Sequence, residues 1–319
     1  MKFLNLAPTL LLLAAPASWA LSLTPGNIYS TNQTTLNEYD ANGTLLNSFD
    51  PGNGILHGLE FGPDGKLYVV RENSSQLPSM TYVDVYGQSG ALQHSYTLAG
   101  DISESASMGK IAFSTNGEQF FVGTHTGVYQ VDTANGIGSL LVDTSAFDSD
   151  VFDIKPLSNG DLFVATAYRV KRYSSTGALL ANIELTDPNR ISGTDYVSFQ
   201  HVRGLEYEEA TDSLFVSMAG DTELPFRLLR IDASSGVLTG MGAYWTGDDL
   251  FLDGDRLIVG SNELAPGVFD KTPFLQKQLT GGAAPFVTVN TVPLPSAGVL
   301  MLSSIVGLSA AARKRARRA

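Results

Sequence analysis

Cysteine is absent from all 319 residues, which excludes disulfides, thiolate metal centres and cysteine nucleophiles. Histidine is scarce, with only His57, His94, His125 and His201 available as imidazole bases or ligands. Basic charge is also missing from the long middle of the chain. Of the 20 Lys and Arg, Lys2 and five C-terminal residues lie in the end segments, which leaves 14 against 32 Asp and Glu between them. Such a surplus of negative charge repels phosphate backbones, so nucleic acid is excluded as a partner and divalent cations are better candidates. No helical periodicity runs through the segment from Leu21 to Thr291. There is no Gly-x-Ser-x-Gly elbow, Walker loop, His-Glu-x-x-His pair, EF-hand loop or Trp-Asp dipeptide.

Both ends, in contrast, carry recognisable signals. Lys2 precedes an apolar stretch centred on Leu10 to Leu13, and Ser18-Trp19-Ala20 places small residues where signal peptidase reads. Residues 1–20 are therefore expected to be a cleaved signal peptide, with mature protein starting at Leu21. At the other end, Val292-Pro293-Leu294-Pro295 is followed by an apolar run from Ala297 to Ala312 and then by Arg313, Lys314, Arg315, Arg317 and Arg318. At about 1.5 Å per residue the run spans about 24 Å as a helix, which just crosses a bilayer if the terminal arginines snorkel. Basic residues directly after it place the C-terminus in the cytoplasm and the acidic body outside.

This order of parts resembles the PEP-CTERM sorting domain, the exosortase substrate signal of Gram-negative bacteria, in a variant with Leu294 where the family usually has Glu. The resemblance covers residues 292–319. It implies sorting through the inner membrane, handling by signal peptidase and exosortase, and release to the cell surface or exopolysaccharide matrix. Pro293 and Pro295 bias their neighbours to extended backbone, which suits an exposed strip open to a processing enzyme.

Between these ends, residues 21–291 are organised by a repeat. Five segments join two short apolar strands by a tight turn, at Pro63-Asp64-Gly65, Thr115-Asn116-Gly117, Ser158-Asn159-Gly160, Ala210 to Ser213 and Asp253-Gly254. Asn-Gly and Asp-Gly are strong hairpin signals because the turn needs positive φ, and Asp212 stands in for glycine in the fourth segment. A second hairpin alternates with the first, as in Asp40-Ala41-Asn42-Gly43 and Asp132-Thr133-Ala134-Asn135-Gly136. Two hairpins make four antiparallel strands, one blade of a propeller. The segments Asn27 to Thr31, Thr35 to Asp40 and Thr44 to Phe49 fit a blade that lacks its first strand, which Pro285 to Asn290 can supply. The expected fold is all-β, a six-bladed propeller, with five or seven blades as alternatives. In architecture it resembles six-bladed propellers of the NHL and lactonase-like kind.

Polar residues on the first strand of each blade face the wet central channel and are the candidates for chemistry. Glu60 and Glu206 occupy matching places in Gly-Leu-Glu-Phe and Gly-Leu-Glu-Tyr, and Asp153 sits on the first strand of an intervening blade. Glu60, Asp153 and Glu206 are candidate ligands of Ca²⁺ or another divalent ion, with His57 or His201 as general base. Two functions follow. One is a non-catalytic surface or matrix module that binds a polysaccharide or a surface protein. The other is a secreted, metal-dependent, lactonase-like hydrolase or lyase with its site at the propeller axis.

Overall fold

Turn residues with positive φ decide where this chain reverses. Gly65, Gly117, Gly160 and Gly254 have φ between 60° and 88°, and Asp212 reaches φ 50° at the same place in its hairpin. The computed structural model describes residues 23–52, 54–73, 80–98, 109–145, 150–184, 202–218, 227–242, 249–260, 267–270, 276–278 and 286–289. Residues 1–20, where a signal peptide is expected, His201, the 292–295 tetrad and the basic tail lie outside the described residues. Among the described residues, no helix is long and apolar enough to cross a membrane.

The strands follow in order from the N-terminus. The chain opens with β1 (Ile28–Thr31), β2 (Leu36–Tyr39) and β3 (Leu45–Phe49). Blade 1 is β4 (Ile55–Phe61), β5 (Leu67–Asn73), β6 (Met80–Tyr86) and β7 (Leu92–Thr97). Blade 2 is β8 (Ile111–Phe113), β9 (Gln119–Gly123), β10 (Gly127–Asp132) and β11 (Gly138–Asp143). Blade 3 is β12 (Val151–Pro156), β13 (Leu162–Thr166), β14 (Arg169–Tyr173) and β15 (Leu179–Ile183). Blade 4 is β16 (Val202–Glu208), β17 (Ser213–Met218), β18 (Arg227–Asp232) and β19 (Leu238–Gly242). Blade 5 is β20 (Asp249–Asp253), β21 (Arg256–Gly260), β22 (Gly267–Asp270) and β23 (Gln276–Gln278). The last strand, β24 (Phe286–Val289), pairs antiparallel with β1, Ile28 opposite Val289 and Thr31 opposite Phe286. Blade 6 is therefore β24-β1-β2-β3, closed by the two ends of the chain. Six four-stranded antiparallel sheets result, and their innermost strands pack in a closed ring, β24 lying beside both β4 and β20.

Each sheet buries both faces, because a blade packs against a neighbour on either side. Among the described residues the core accordingly divides into six clusters, one for each blade interface. Tyr29, Leu36, Leu59 and Val69 join blades 6 and 1, while Val70, Val83, Ile111 and Phe120 join blades 1 and 2. Val202, Leu205 and Val216 of blade 4 meet Phe163, Ala165 and Val170 of blade 3. Fully burying one such side chain contributes about 1.5–3 kcal/mol, so the ring is held mainly by these wedges. The outer strands expose an edge, which is partly shielded by the next blade. The turn at Gly177 lies over the Leu141 carbonyl of β11, and that at Gly236 over the carbonyl of Glu184 just after β15. Short or covered edges limit pairing with other chains.

Candidate functional site

Alternation along the innermost strands sorts side chains at the axis. Leu59, Ile111 and Leu205 point to the preceding blade and join its core cluster. Their neighbours on the opposite pleat are polar or small and border the channel, since residues i and i+2 share a face. Counting back from the turn glycine aligns them: Gly58, Lys110 and Asp153 lie seven positions before Gly65, Gly117 and Gly160, and Glu60, Ala112 and Lys155 lie five before. Glu206 takes the Glu60 place in blade 4, one residue further from its turn because of the 3-10 turn Glu209–Thr211. Glycine at 58 and 204 lets innermost strands approach. A Cβ on Gly58 would meet backbone of Lys110 at 2.9 Å, and one on Gly204 would meet backbone of Asp249 and Leu250 at 2.9 Å. Three of these strands also carry a register shift just before the axial residue, in β4 between Leu56 and Leu59, in β12 between Val151 and Asp153, and in β16 between Val202 and Gly204. Such bulges re-aim the residues that follow.

The result is two stacked tiers of charge. In the first, the Lys110 ammonium is paired with Asp249 across the channel and lies 3.6 Å from Asp153 of the next blade. Asp153 also accepts backbone N–H groups from Ile154 at 2.8 Å and from Leu205 of blade 4 at 2.6 Å, which ties two blades together. In the second tier, Lys155 donates to both oxygens of Glu206, at 2.8 and 2.7 Å. Glu60 belongs to the same tier, but its place in blade 2 is filled by Ala112. Among the described residues Glu60 has no hydrogen-bond or ion-pair partner.

Burial and charge act against each other in these tiers. Burial pushes the Glu60 carboxyl up to about 8; Lys155 and Lys110 pull it down, and Glu206 and Asp249 add to the rise. Burial likewise lifts Asp153 to about 7, against the opposing pull of Lys110. For Lys110 burial favours the neutral amine, yet Asp153 and Asp249 together hold it above the ordinary lysine value. Lys155 is raised in the same way, burial being outweighed by Glu206 and Glu60. The tiers border a cavity of about 120 Å³ whose wall also includes Leu59, Ile111, Ala112, Phe113 and Leu205.

The fold thus brings Glu60, Asp153 and Glu206 to one cavity, as the sequence suggests. It brings Lys110, Lys155 and Asp249 there too, and these were not singled out. Lys155 was legible, since Asp153-Ile154-Lys155 puts both charges on one face; Asp249 needed the ring, because it pairs across the channel. His57 is placed elsewhere. It is buried at the β4 bulge with Nε2 3.2 Å from Glu72 Oε2, and burial lowers its pKa while Glu72 opposes the change. Among the described residues, no three His, Asp or Glu side chains converge closely enough to hold a metal ion. The candidate ligand set Glu60, Asp153 and Glu206 is instead interleaved with lysines. Chemically the cavity offers one unpaired carboxyl beside fixed ion pairs and the methyl group of Ala112.

No family model matches the sequence, and no curated protein matches it. Solved structures do. A chain from the crystal structure of a nidogen/laminin complex superimposes with a TM-score of 0.63 at 12% identity, over 84% of this chain and 99% of its own. A protein of unknown function from Bacteroides caccae gives a TM-score of 0.50 at 17% identity, over 68% of this chain and 77% of its own. What this chain shares with them is the fold, and that fold is a six-bladed β-propeller.

Proposed function

We propose that this protein is an exported, exosortase-sorted propeller of the cell surface or exopolysaccharide matrix, acting as a non-catalytic binding or structural module. The end segments support export: a signal peptide before Leu21 and a Pro-bearing tetrad, apolar run and arginine-rich end after residue 291. The observation that carries the non-catalytic reading is the pairing at the axis. Lys110 and Lys155 occupy three of the four axial carboxylates, Asp153, Asp249 and Glu206, so no two acidic groups are left together to share acid and base roles. The natural partners of such a module are an extracellular polysaccharide or another surface protein.

Two measurements test this. Mature protein recovered from the cell surface should begin at Leu21 and lack the residues from about Ala297 onward by intact mass; recovery of Ala319 on surface protein reduces the tail to a plain anchor. Residues 21–291, incubated with a panel of lactones and esters with or without Ca²⁺, should show no turnover above buffer. Hydrolysis that disappears in Glu60→Gln or Glu206→Gln would instead establish the lactonase-like reading.

A further inference from the structure

Among the described residues each lysine at the axis is matched to carboxylates, and one carboxylate, Glu60, is left over. Lys155 and Glu206 project from the same place on adjacent first strands and close on each other. Glu60 projects from that place too, and the following blade offers it Ala112, whose methyl group can neither donate nor fill the gap. The gap opens into the cavity of about 120 Å³ that both tiers border. Among the described residues the charged groups at the axis, counted as ionised, are four carboxylates and two ammoniums, so the space lacks positive charge.

We propose that the space beside Glu60 is a binding site for a small primary alkylammonium group, whose N–H donors take the place of the lysine that Glu60 lacks. Three features select this class. With Glu60 ionised the charge surplus is negative, which excludes anions. Calcium needs six to eight oxygens, and no three acidic or imidazole groups converge among the described residues. An ammonium head needs only three acceptors and can complete its shell with water. Finally, the Ala112 methyl group borders the cavity beside Glu60 and gives a short alkyl stem an apolar contact. The Lys155 tier is the more accessible one: that side chain is 32% exposed, whereas those of Lys110, Asp153 and Asp249 are at most 7% exposed. The site concerns the axis alone and is independent of export and sorting.

Binding carries a proton signature. Glu60, pushed up to about 8, holds a proton at neutral pH and must give it up to receive a cation. Affinity should therefore rise by up to about tenfold per unit between pH 6 and 8 and level off above that. Calorimetric titration of residues 21–291 with n-butylammonium should show saturable binding that strengthens in this way, with butanol silent. Glu60→Gln, which keeps the shape and removes the charge, should weaken it at least tenfold, and Glu118→Gln in the exposed turn between β8 and β9 should change nothing. Absence of saturable binding at pH 8, or binding that is retained in Glu60→Gln, overturns the proposal. If Glu60→Gln does not fold, Ala112→Lys decides: its ammonium fills the place beside Glu60, so n-butylammonium binding retained in that variant overturns the proposal as well.

Discussion

Single residues hold this fold where the backbone leaves no alternative. Gly177 sits in the left-handed region at φ 80°, and its missing Cβ faces the Leu141 carbonyl of the preceding blade. A side chain there pays for an unfavourable φ and a collision together. Gly177→Ala should therefore cost about 2 kcal/mol or more, seen as a lower urea midpoint with an unchanged slope. An unchanged midpoint would mean that blade 3 can move away from β11 at no cost. Asp212 shows the complementary case. It tolerates φ 50° because its carboxylate accepts from the Tyr207 hydroxyl at 2.9 Å and from the Ser234 amide at 3.2 Å. Lys110 is the residue whose loss should be most damaging. Lys110→Met leaves Asp153 and Asp249 buried without their cation, and breaking a buried pair in this way costs about 3–5 kcal/mol. Adding Asp249→Asn should recover part of that loss, which a simple packing defect would not allow.

At the scale of elements, closure by β24 is the critical joint. Without it, β1 presents an unpaired inner edge, and the ring loses the strand that stands between β4 and β20. A chain ending at Pro285 should lose the single cooperative unfolding transition and associate through that edge, whereas one ending at Thr291 should unfold like the longer protein. Equal behaviour of the two would show that five blades suffice. The hairpins were the most legible elements, since Gly65, Gly117, Gly160 and Gly254 mark them by chemistry that only a tight turn demands. The register shifts in β4, β12 and β16 were not legible. A bulge depends on how neighbouring strands crowd at the axis, and no local residue pattern in Leu56 to Leu59 or Val151 to Asp153 announces it.

For the molecule as a whole, the buried tiers should govern how stability varies with pH. Glu60 and Asp153 have folded-state values above their ordinary ones, so the native protein binds more protons than the unfolded chain between about 4 and 8. Stability is therefore lost as pH rises through that window. Exposed turn carboxylates act in the opposite sense. Asp40 is held below its usual range by the Thr44 and Asn42 amides, and Asp232 by Ser235, so both contribute stability that is lost as the pH falls below about 4. The melting temperature should peak near pH 5 and decline toward pH 8, and Glu60→Gln should flatten the decline. A temperature that climbs steadily from pH 5 to 8 would contradict the burial assigned to Glu60.

The sequence by itself determined the strands and the turns and pointed to the pairing of the two ends, because these follow from local periodicity and from residues that tolerate positive φ; it favoured six blades over five or seven, and the ring of six sheets decided the number. It also pointed to Glu60, Asp153 and Glu206, since first strands of blades must face a common axis. Only the tertiary structure decided what those carboxylates meet. Lys110 reaches Asp249 across 139 positions of sequence, and Lys155 reaches Glu206 across 51, distances over which no periodicity operates. The same closure that brings the charges together also leaves Glu60 facing Ala112. Its unpaired state is a property of the ring, fixed by which side chains six separate blades deliver to one point.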